Sequence, residues 1–310
     1  MSDYIFGPVP SRRLGRSLGV DLVPFKTCTY DCVYCQLGRT TCKTLERKEW
    51  VPLDAVLEQL TQKLSTEPDY ITLSGSGEPT LYSRIAELVD QIRVLTDVPV
   101  AVLTNGSLLW HEDVRDQLMN TDLVIPSLDA GDEAMFRLVN RPHEEISFEQ
   151  MLSGLISFRR KFRGEYWLEV FVLDDYTALT EEFAKIANCV SYIKPDLVQL
   201  NTVSRPPAEE YAVGVSRRTL AELALSLPFL TEVIADFRGV HHQPEFVAGR
   251  EEILQMLRRR PCSIDDIADG LGMHRNEVVK YLEELNADNL LEESLIAEKL
   301  YYKVAKETSI

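Results

Sequence analysis

The sequence predicts an α/β fold, a partial (β/α)6 TIM-type barrel over residues 1–245 followed by a smaller winged helix-turn-helix domain over 246–310. Three observations predict it. Six short apolar runs alternate with stretches of helical periodicity, which implies parallel strands joined by right-handed crossovers. Those runs end in polar or glycine-rich residues, and a parallel sheet gathers its ligands at that one edge. After the segment GVHHQPEFVAG at 239–249, three helical patterns lead into a terminal hairpin. An open doubly wound sheet is the competing architecture.

The first strand lies in SLGVDLVPF, where Gly19, Val20, Asp21, Leu22 and Val23 lead to Pro24, and a cysteine-rich loop begins directly after it. A helix follows over 53–66, with Val56, Leu57, Leu60 and Leu64 at helical spacing and Pro52 at its start. The second strand, 69–73, runs into SGSGEP. A helix over 82–95 carries Ile85, Leu88, Val89 and Ile92 on one face, and the strand 98–103 ends in Thr104, Asn105 and Gly106. Helix 110–119 and strand 123–125 come next, the strand leading to Pro126, Ser127, Leu128 and Asp129. Helix 148–162, strand 166–173, helix 179–188 and strand 197–200 complete the series. Beyond the boundary, helices over 251–259, 263–271 and 275–287 precede two strands in LLEESLIAEKLYYKV, the order of a winged helix-turn-helix.

A chain of 310 residues, 45% hydrophobic and 26% charged, is long enough for one large core and a small one. Its 33 basic and 49 acidic residues give a net charge of -16, which offers little general attraction to polyphosphate. The opening MSDYIFGPVPSRR has no basic stretch leading into an apolar one, so no secretory signal is expected. No apolar run reaches the roughly 18 residues that span a bilayer. Four of the six cysteines crowd into positions 28–42, too uneven for a secreted disulfide framework, and a cytoplasmic protein with a metal site is expected.

Cys28, Cys32 and Cys35 form the spacing C-x3-C-x2-C. Thiolates are soft ligands that favour iron or zinc, and three on one loop can hold a cubane while leaving its fourth iron open. Cys42 complicates this, since a fourth thiolate would complete a structural zinc or an electron-transfer cluster; the alternative is a free cysteine. Cys189 and Cys262, in apolar or helical surroundings, read as core thiols.

The cysteine loop resembles the signature of the radical SAM superfamily, C-x3-C-x-aromatic-C, with Tyr34 as the aromatic. The resemblance implies that Cys28, Cys32 and Cys35 hold a [4Fe-4S] cluster whose open iron is chelated by S-adenosyl-L-methionine. Reductive cleavage would then give a 5'-deoxyadenosyl radical that abstracts hydrogen from a small-molecule or peptide substrate. Reduced flavodoxin or ferredoxin is the implied electron donor. Gly75, Ser76, Gly77 and Glu78 stand where the superfamily carries its GGE-like motif, and the resemblance assigns them the methionyl ammonium. Without it, Gly-x-Gly reads equally as a tight turn and Glu78 as its anchor. Asn105, Ser127 and Asp129 fall where relatives contact the ribose or the methionyl carboxylate. Asp129 also suits the cap of the helix that follows.

The opening GPVPSRRLGRSLGVDL resembles the branch of iron-sulfur oxidoreductases related to wyosine-synthesis enzymes, which implies RNA-base modification as an alternative. Arg12, Arg13 and Arg16 there suit either a bound phosphate or carboxylate, or a neutralising collar. The chain departs from archaeal wyosine enzymes in lacking a second N-terminal cysteine set and in its added C-terminal region. Asn140 and Arg141 read as residues that help close the site. Asp174, Asp175, Gln199 and Asn201 read as substrate-side residues or ordinary loop polar groups, and His241 with His242 as a substrate contact or proton donor.

Residues 250–310 carry nine basic and 13 acidic residues, a balance of -4. A DNA reader would present a basic face, so docking a protein partner, or covering the open barrel, fits this region better. The remaining alternative is a cluster-dependent DNA-binding redox regulator. Arg258, Arg259 and Arg260 are the one dense basic run of this region, and the bland alternative to docking is a solvated triplet capping a helix C-terminus.

Overall fold

The computed structural model describes residues 4–11, 13–234, 249–271, 273, 275–296 and 299–305. Arg12, His241, His242 and nearly all of the expected boundary segment lie outside them.

In chain order the strands are β1 (Ile5–Ser11), β2 (Gly15–Val20), β3 (Thr27–Cys28), β4 (Cys42–Lys43), β5 (Tyr70–Leu73), β6 (Val100–Thr104), β7 (Leu123–Pro126), β8 (Glu165–Val172), β9 (Leu197–Thr202), β10 (Thr231–Val233), β11 (Leu291–Ile296) and β12 (Lys299–Val304). The helices are α1 (Leu53–Lys63), α2 (Ile85–Leu95), α3 (Glu112–Gln117), α4 (Glu133–Val139), α5 (Phe148–Lys161), α6 (Thr180–Ile193), α7 (Arg217–Leu225), α8 (Arg250–Arg259), α9 (Ile264–Leu271) and α10 (Arg275–Ala287).

The main sheet has eight strands in the order β1-β2-β5-β6-β7-β8-β9-β10. From β2 to β10 every pairing is parallel, and β1 is antiparallel to β2. Strands β2, β5, β6, β7, β8 and β9 are the six that the sequence predicts, and the helices between them close a partial α/β barrel. Leu18, Val20, Ile71, Leu73, Val102 and Val170 are fully buried against that helical layer. The opposite face holds a smaller apolar plug of Leu14, Ala101, Leu123 and Ile125. Above the plug, the carboxyl ends of the strands carry polar side chains.

The structure adds edge strands. β1 has Gly7 and two prolines with a register shift between Phe6 and Val9, and proline removes ladder donors, so such a segment is tolerated at a sheet edge while hiding strand periodicity. β10 is only three residues long. The first predicted strand ends at Val20, which leaves Asp21, Leu22 and Val23 to begin the cysteine loop. Helix 82–95 begins later than expected, at Ile85, after a 3-10 turn over Pro79–Leu81.

Helices α8, α9 and α10 with the β11-β12 hairpin bury a core of their own, including Ile253, Leu257, Ile267, Val278, Leu282 and Tyr302. This unit rests on the barrel through charged contacts. Arg205 and Asp266 pair at 3.5 Å with each side chain 4% exposed, and Tyr301 donates to the Ser204 carbonyl at 2.5 Å. Arg259 reaches Asp21 at 2.6 Å while its guanidinium lies 3.9 Å over the Phe6 ring. The expected covering of the open barrel is therefore an intramolecular contact. Among the described residues no helix is long and apolar enough to cross a membrane.

Candidate functional site

The loop after β2 brings three thiols to the carboxyl edge of the sheet, and all three are free of disulfides. Each faces a nitrogen donor: Asn105 Nδ2 lies 3.5 Å from Cys28 Sγ, Asn140 Nδ2 lies 3.6 Å from Cys32 Sγ, and Lys26 Nζ lies 3.2 Å from Cys35 Sγ. Such donors stabilise charge on sulfur and tune a bound cluster. Burial, with Glu78 nearby, pushes the Cys28 thiol up to about 12. Burial and Asp129 likewise raise Cys32 well above the ordinary thiol range. As bare thiols they stay protonated, and a metal that takes up thiolate charge offsets that desolvation cost. Among the described residues no three His, Cys, Asp or Glu side chains converge closely enough to share one metal ion. A cubane binds each thiolate on a different iron and does not need that convergence.

Cys42 stands apart. In the β3-β4 pair Thr27 is opposite Cys42 and Cys28 is opposite Lys43, and neighbouring side chains on a strand face opposite ways. Cys42 therefore shares the face of Thr27 and not that of Cys28, and it is exposed. Cys189 and Cys262 are buried, as core thiols.

The SGSGE turn after β5 is held from two sides. Asp21 Oδ1 accepts from Ser76 N at 2.7 Å, and Asp21 Oδ2 accepts from Ser76 Oγ at 2.6 Å and from Arg259. Gly75 has φ +142, and a Cβ there would meet Asp21 Oδ1 at 2.6 Å. Gly77 presses on the Thr27 carbonyl beside Cys28. Glu78 is 2% exposed. Its oxygens accept from Thr80 N, Thr80 Oγ1, Thr104 Oγ1 and Asn105 N at 2.6 to 3.0 Å. That carboxylate ties the β5 turn to the end of β6.

Tyr34 stacks on Phe171 with ring centroids 3.9 Å apart, and its hydroxyl donates to Asp129. Asp129 also accepts from Asn140 Nδ2 at 2.8 Å and from Phe171 N at 3.0 Å. Burial, against bonds from Tyr34 and Asn140, raises its carboxyl to about 6. The helix cap falls on Asp132, which accepts from Met135 N, not on Asp129. Arg141 pairs with Glu209 at 2.6 Å.

Two adjoining cavities open at this edge. One of about 380 Å³ is lined by Cys28, Cys32, the Gly75 to Glu78 turn, Asn105 and Ser127, and residues of α8 form part of its wall. The other, of about 370 Å³, is lined by Cys35, Tyr34, Arg13, Glu169, Asn201 and Arg205, among others. Ser127, Glu169 and Arg260 line both. The geometry thus gathers the three cysteines with Tyr34, Gly75, Ser76, Gly77, Glu78, Asn105, Ser127 and Asp129 around the two cavities.

Sequence reasoning missed Glu169, Asp21 and Arg205, and it did not separate the three arginines of the basic run. Arg258 pairs outward with Glu251, whereas Arg259 binds Asp21 and Arg260 lines both cavities. The available signal for Glu169 was a charged residue inside the alternating run EYWLEVFV, on the face shared by Trp167 and Phe171. Arg16 Nη2 donates to the Thr66 carbonyl at 2.8 Å and forms no collar. Asn201 donates to Glu169, Gln199 is buried, and Asp174 and Asp175 are exposed and line neither cavity.

A thiol-rimmed cavity at the carboxyl edge of a partial α/β barrel lies where enzymes of barrel fold carry their active sites. Residues 22–189 match the family model described as the radical SAM superfamily. The chain belongs to that superfamily of enzymes. It is 42% identical to a UPF0026 protein of Methanocaldococcus jannaschii over 92% of this chain and 87% of that one. It is also 38% identical to a protein named GTPase Obg of Brachyspira hyodysenteriae over 97% of this chain, though it spans only 45% of that protein's length. Among solved structures, SuiB of Streptococcus suis bound to its precursor peptide SuiA superposes with a TM-score of 0.53 at 15% identity, covering 68% of this chain and 47% of that one. A radical SAM methyltransferase from Sphaerobacter thermophilus gives a TM-score of 0.53 at 13% identity, covering 70% and 66%. At these identities the structures show a shared fold.

Proposed function

We propose that Cys28, Cys32 and Cys35 hold a [4Fe-4S] cluster and that S-adenosylmethionine lies in the adjoining 380 Å³ cavity. The observation that carries this reading is the common wall: Cys28 and Cys32 line the same cavity as Gly75, Ser76, Gly77, Glu78, Asn105 and Ser127. Held there, a reduced cluster would supply the electron for reductive carbon-sulfur cleavage of S-adenosylmethionine, and with it the capacity to abstract hydrogen from a substrate.

The chain's own residues bind and orient. The SGSGE backbone offers polar atoms unobstructed by side chains at its glycines. Glu78 and Asp129 act by holding Asn105 and Tyr34 in place, which makes them positioning residues around the ligand. The substrate is a small molecule or a peptide entering the second cavity, and reduced flavodoxin or ferredoxin in the cytoplasm supplies electrons.

We assign residues 1–245 to the barrel and 246–310 to a winged helix-turn-helix domain, supported by the separate core of α8, α9 and α10 with their hairpin. A link to wyosine-type enzymes rests on the opening motif alone. Arg13 there turns inward to Glu169, at 2.6 Å, and is not presented to a polynucleotide.

The test uses anaerobically reconstituted full-length protein, with 5'-deoxyadenosine measured after reduction. Release is expected in the wild type and in Cys42→Ala, and none in Cys32→Ala. A cluster found coordinated by Cys42, with no release from the intact protein, would overturn the reading in favour of a redox regulator.

A further inference from the structure

The second cavity, beside the one assigned to S-adenosylmethionine, has a charge pattern that selects a ligand. Arg13 Nη2 binds Glu169 Oε2 at 2.6 Å, and Glu169 Oε1 accepts from Asn201 at 2.8 Å. Each oxygen of the Glu169 carboxylate is thereby engaged. Arg205 is engaged by Asp266 and by Gln36 Oε1 at 3.3 Å. Asp129 is turned to Tyr34, Asn140 and the Phe171 amide.

What remains is a pair of guanidinium donors. Arg13 Nη1 and Arg260 Nη2 are both buried, with no acceptor among the described residues, and both arginines line this cavity. A buried guanidinium N–H without an acceptor is costly, and neither carboxylate lining the cavity, Asp129 or Glu169, accepts from these two nitrogens. Arg260 comes from the end of α8, so the C-terminal unit contributes a wall to the cavity and not merely a cover.

We propose that this cavity binds a small substrate through an oxyanionic group, received by Arg260 and by the free edge of Arg13. The proposal rests on the radical SAM reading and adds the substrate class to it. A volume of about 370 Å³ suits a small molecule and not a folded polymer. The planar guanidinium fork matches both carboxylate and phosphate geometry, so the shared chemistry is the oxyanion.

The experiment is isothermal titration of the full-length protein with glutarate, with glycerol 3-phosphate and with the neutral glutaramide. At least one of the two anions is expected to bind, the amide is expected not to, and Arg260→Gln should weaken the anion by about tenfold or more, the loss of one charge-assisted contact. Whichever anion binds identifies the carboxylate or phosphate source. Arg218→Gln, on an 88% exposed side chain, should bind as the wild type does. Arg260→Lys serves if the glutamine variant does not fold, because it keeps the charge and loses the fork; a weakening of several-fold is expected. Equal binding of anion and amide, or binding unchanged in either Arg260 variant, would overturn the proposal. So would a loss confined to S-adenosylmethionine affinity, which would place Arg260 in the cofactor site. Failure of the radical SAM reading itself shows separately, as absence of 5'-deoxyadenosine from the reduced wild type.

Discussion

Substituting Gly77→Ala tests whether the SGSGE turn sets the position of the cysteine loop. A Cβ on Gly77 would lie 1.8 Å from the Thr27 carbonyl oxygen, 2.8 Å from its carbon and 3.0 Å from Val23 Cγ2. Real Cβ contacts stay above 3.0 Å, so turn and loop must part by at least about 1.2 Å. The obstacle is backbone, which no rotamer change relieves. Parting them breaks Glu78 N to Thr27 O, at 3.1 Å, and Lys26 N to Ser76 O, at 2.7 Å. Two such bonds are worth about 1 kcal/mol each, and the overpacking adds roughly 1–3 kcal/mol, so the expected cost is about 3–5 kcal/mol. Cys28 follows Thr27 directly, so the displacement falls on a proposed cluster ligand. Urea unfolding of the full-length protein and iron per chain after anaerobic reconstitution should both drop. Gly38→Ala is the contrast, since Gly38 has φ +86 but nothing within 4 Å of a new Cβ; only the left-handed strain, about 1 kcal/mol, is expected. A Gly77→Ala protein with the wild-type midpoint and full iron loading would refute the reasoning.

Three further outcomes follow from the same edge. Glu78→Gln sets an amide NH2 against donors that now meet a carboxylate, and should lower unfolding stability by about 2–4 kcal/mol; a change under about 0.5 kcal/mol would count against Glu78 as the tie between β5 and β6. Arg259→Gln removes the 2.6 Å contact that backs Asp21 against Ser76, and should raise the Kd for S-adenosylmethionine about tenfold, with an unchanged Kd showing that the turn holds without it. Burial would raise the Asp266 carboxyl, but Arg205 and bonds from Ser263 outweigh it and hold it below its usual range. A depressed carboxyl gives stability that is present above its unfolded value, about pH 3.9, and lost as pH falls through the folded one. The urea midpoint of the wild type should therefore fall more steeply below about pH 4 than that of Asp266→Asn, and parallel curves would deny the pair that role.

The sequence carried the parallel strands because several are short, largely apolar runs buried on both faces, as in Ile71 to Leu73 and Val100 to Val102, and β8 shows a strand's alternation. It also carried the cysteine loop, because metal ligation fixes spacing in the chain. β1 was hidden since prolines erase its alternation, and β10 since three residues cannot show a period. α4 escaped notice as a seven-residue helix, too short for periodicity to stand out. Within the site, residues on a single tip were legible and pairings between tips were not. Asp21 with Arg259 and Arg205 with Asp266 join positions 238 and 61 residues apart, and nothing local marks either partner. The arginine run looked like a solvated cap because its helix is amphipathic; only the docking of α8 and α9 against the barrel distinguishes outward Arg258 from inward Arg259 and Arg260.

The carboxylates at the edge bear on how such a site works. Four lie there, and each is engaged on both oxygens: Asp21 by Ser76 and Arg259, Glu78 by Thr80, Thr104 and Asn105, Asp129 by Tyr34, Asn140 and Phe171 N, and Glu169 by Arg13 and Asn201. A general base needs a lone pair within reach of a substrate proton, and each of these oxygens gives at least one lone pair to fixing a neighbouring group. Most of these bonds join different strand tips or tie a tip to α8, so the acids work as cross-braces around Cys28, Asn105 and Tyr34. Rigidity of that kind suits chemistry carried by bound cofactors, where a reactive species must meet one hydrogen atom of the substrate and nothing else. Loosening a brace should then reduce cofactor retention and selectivity before it affects any protonation step, and this ordering separates the braced site from one that uses an acid or base of its own.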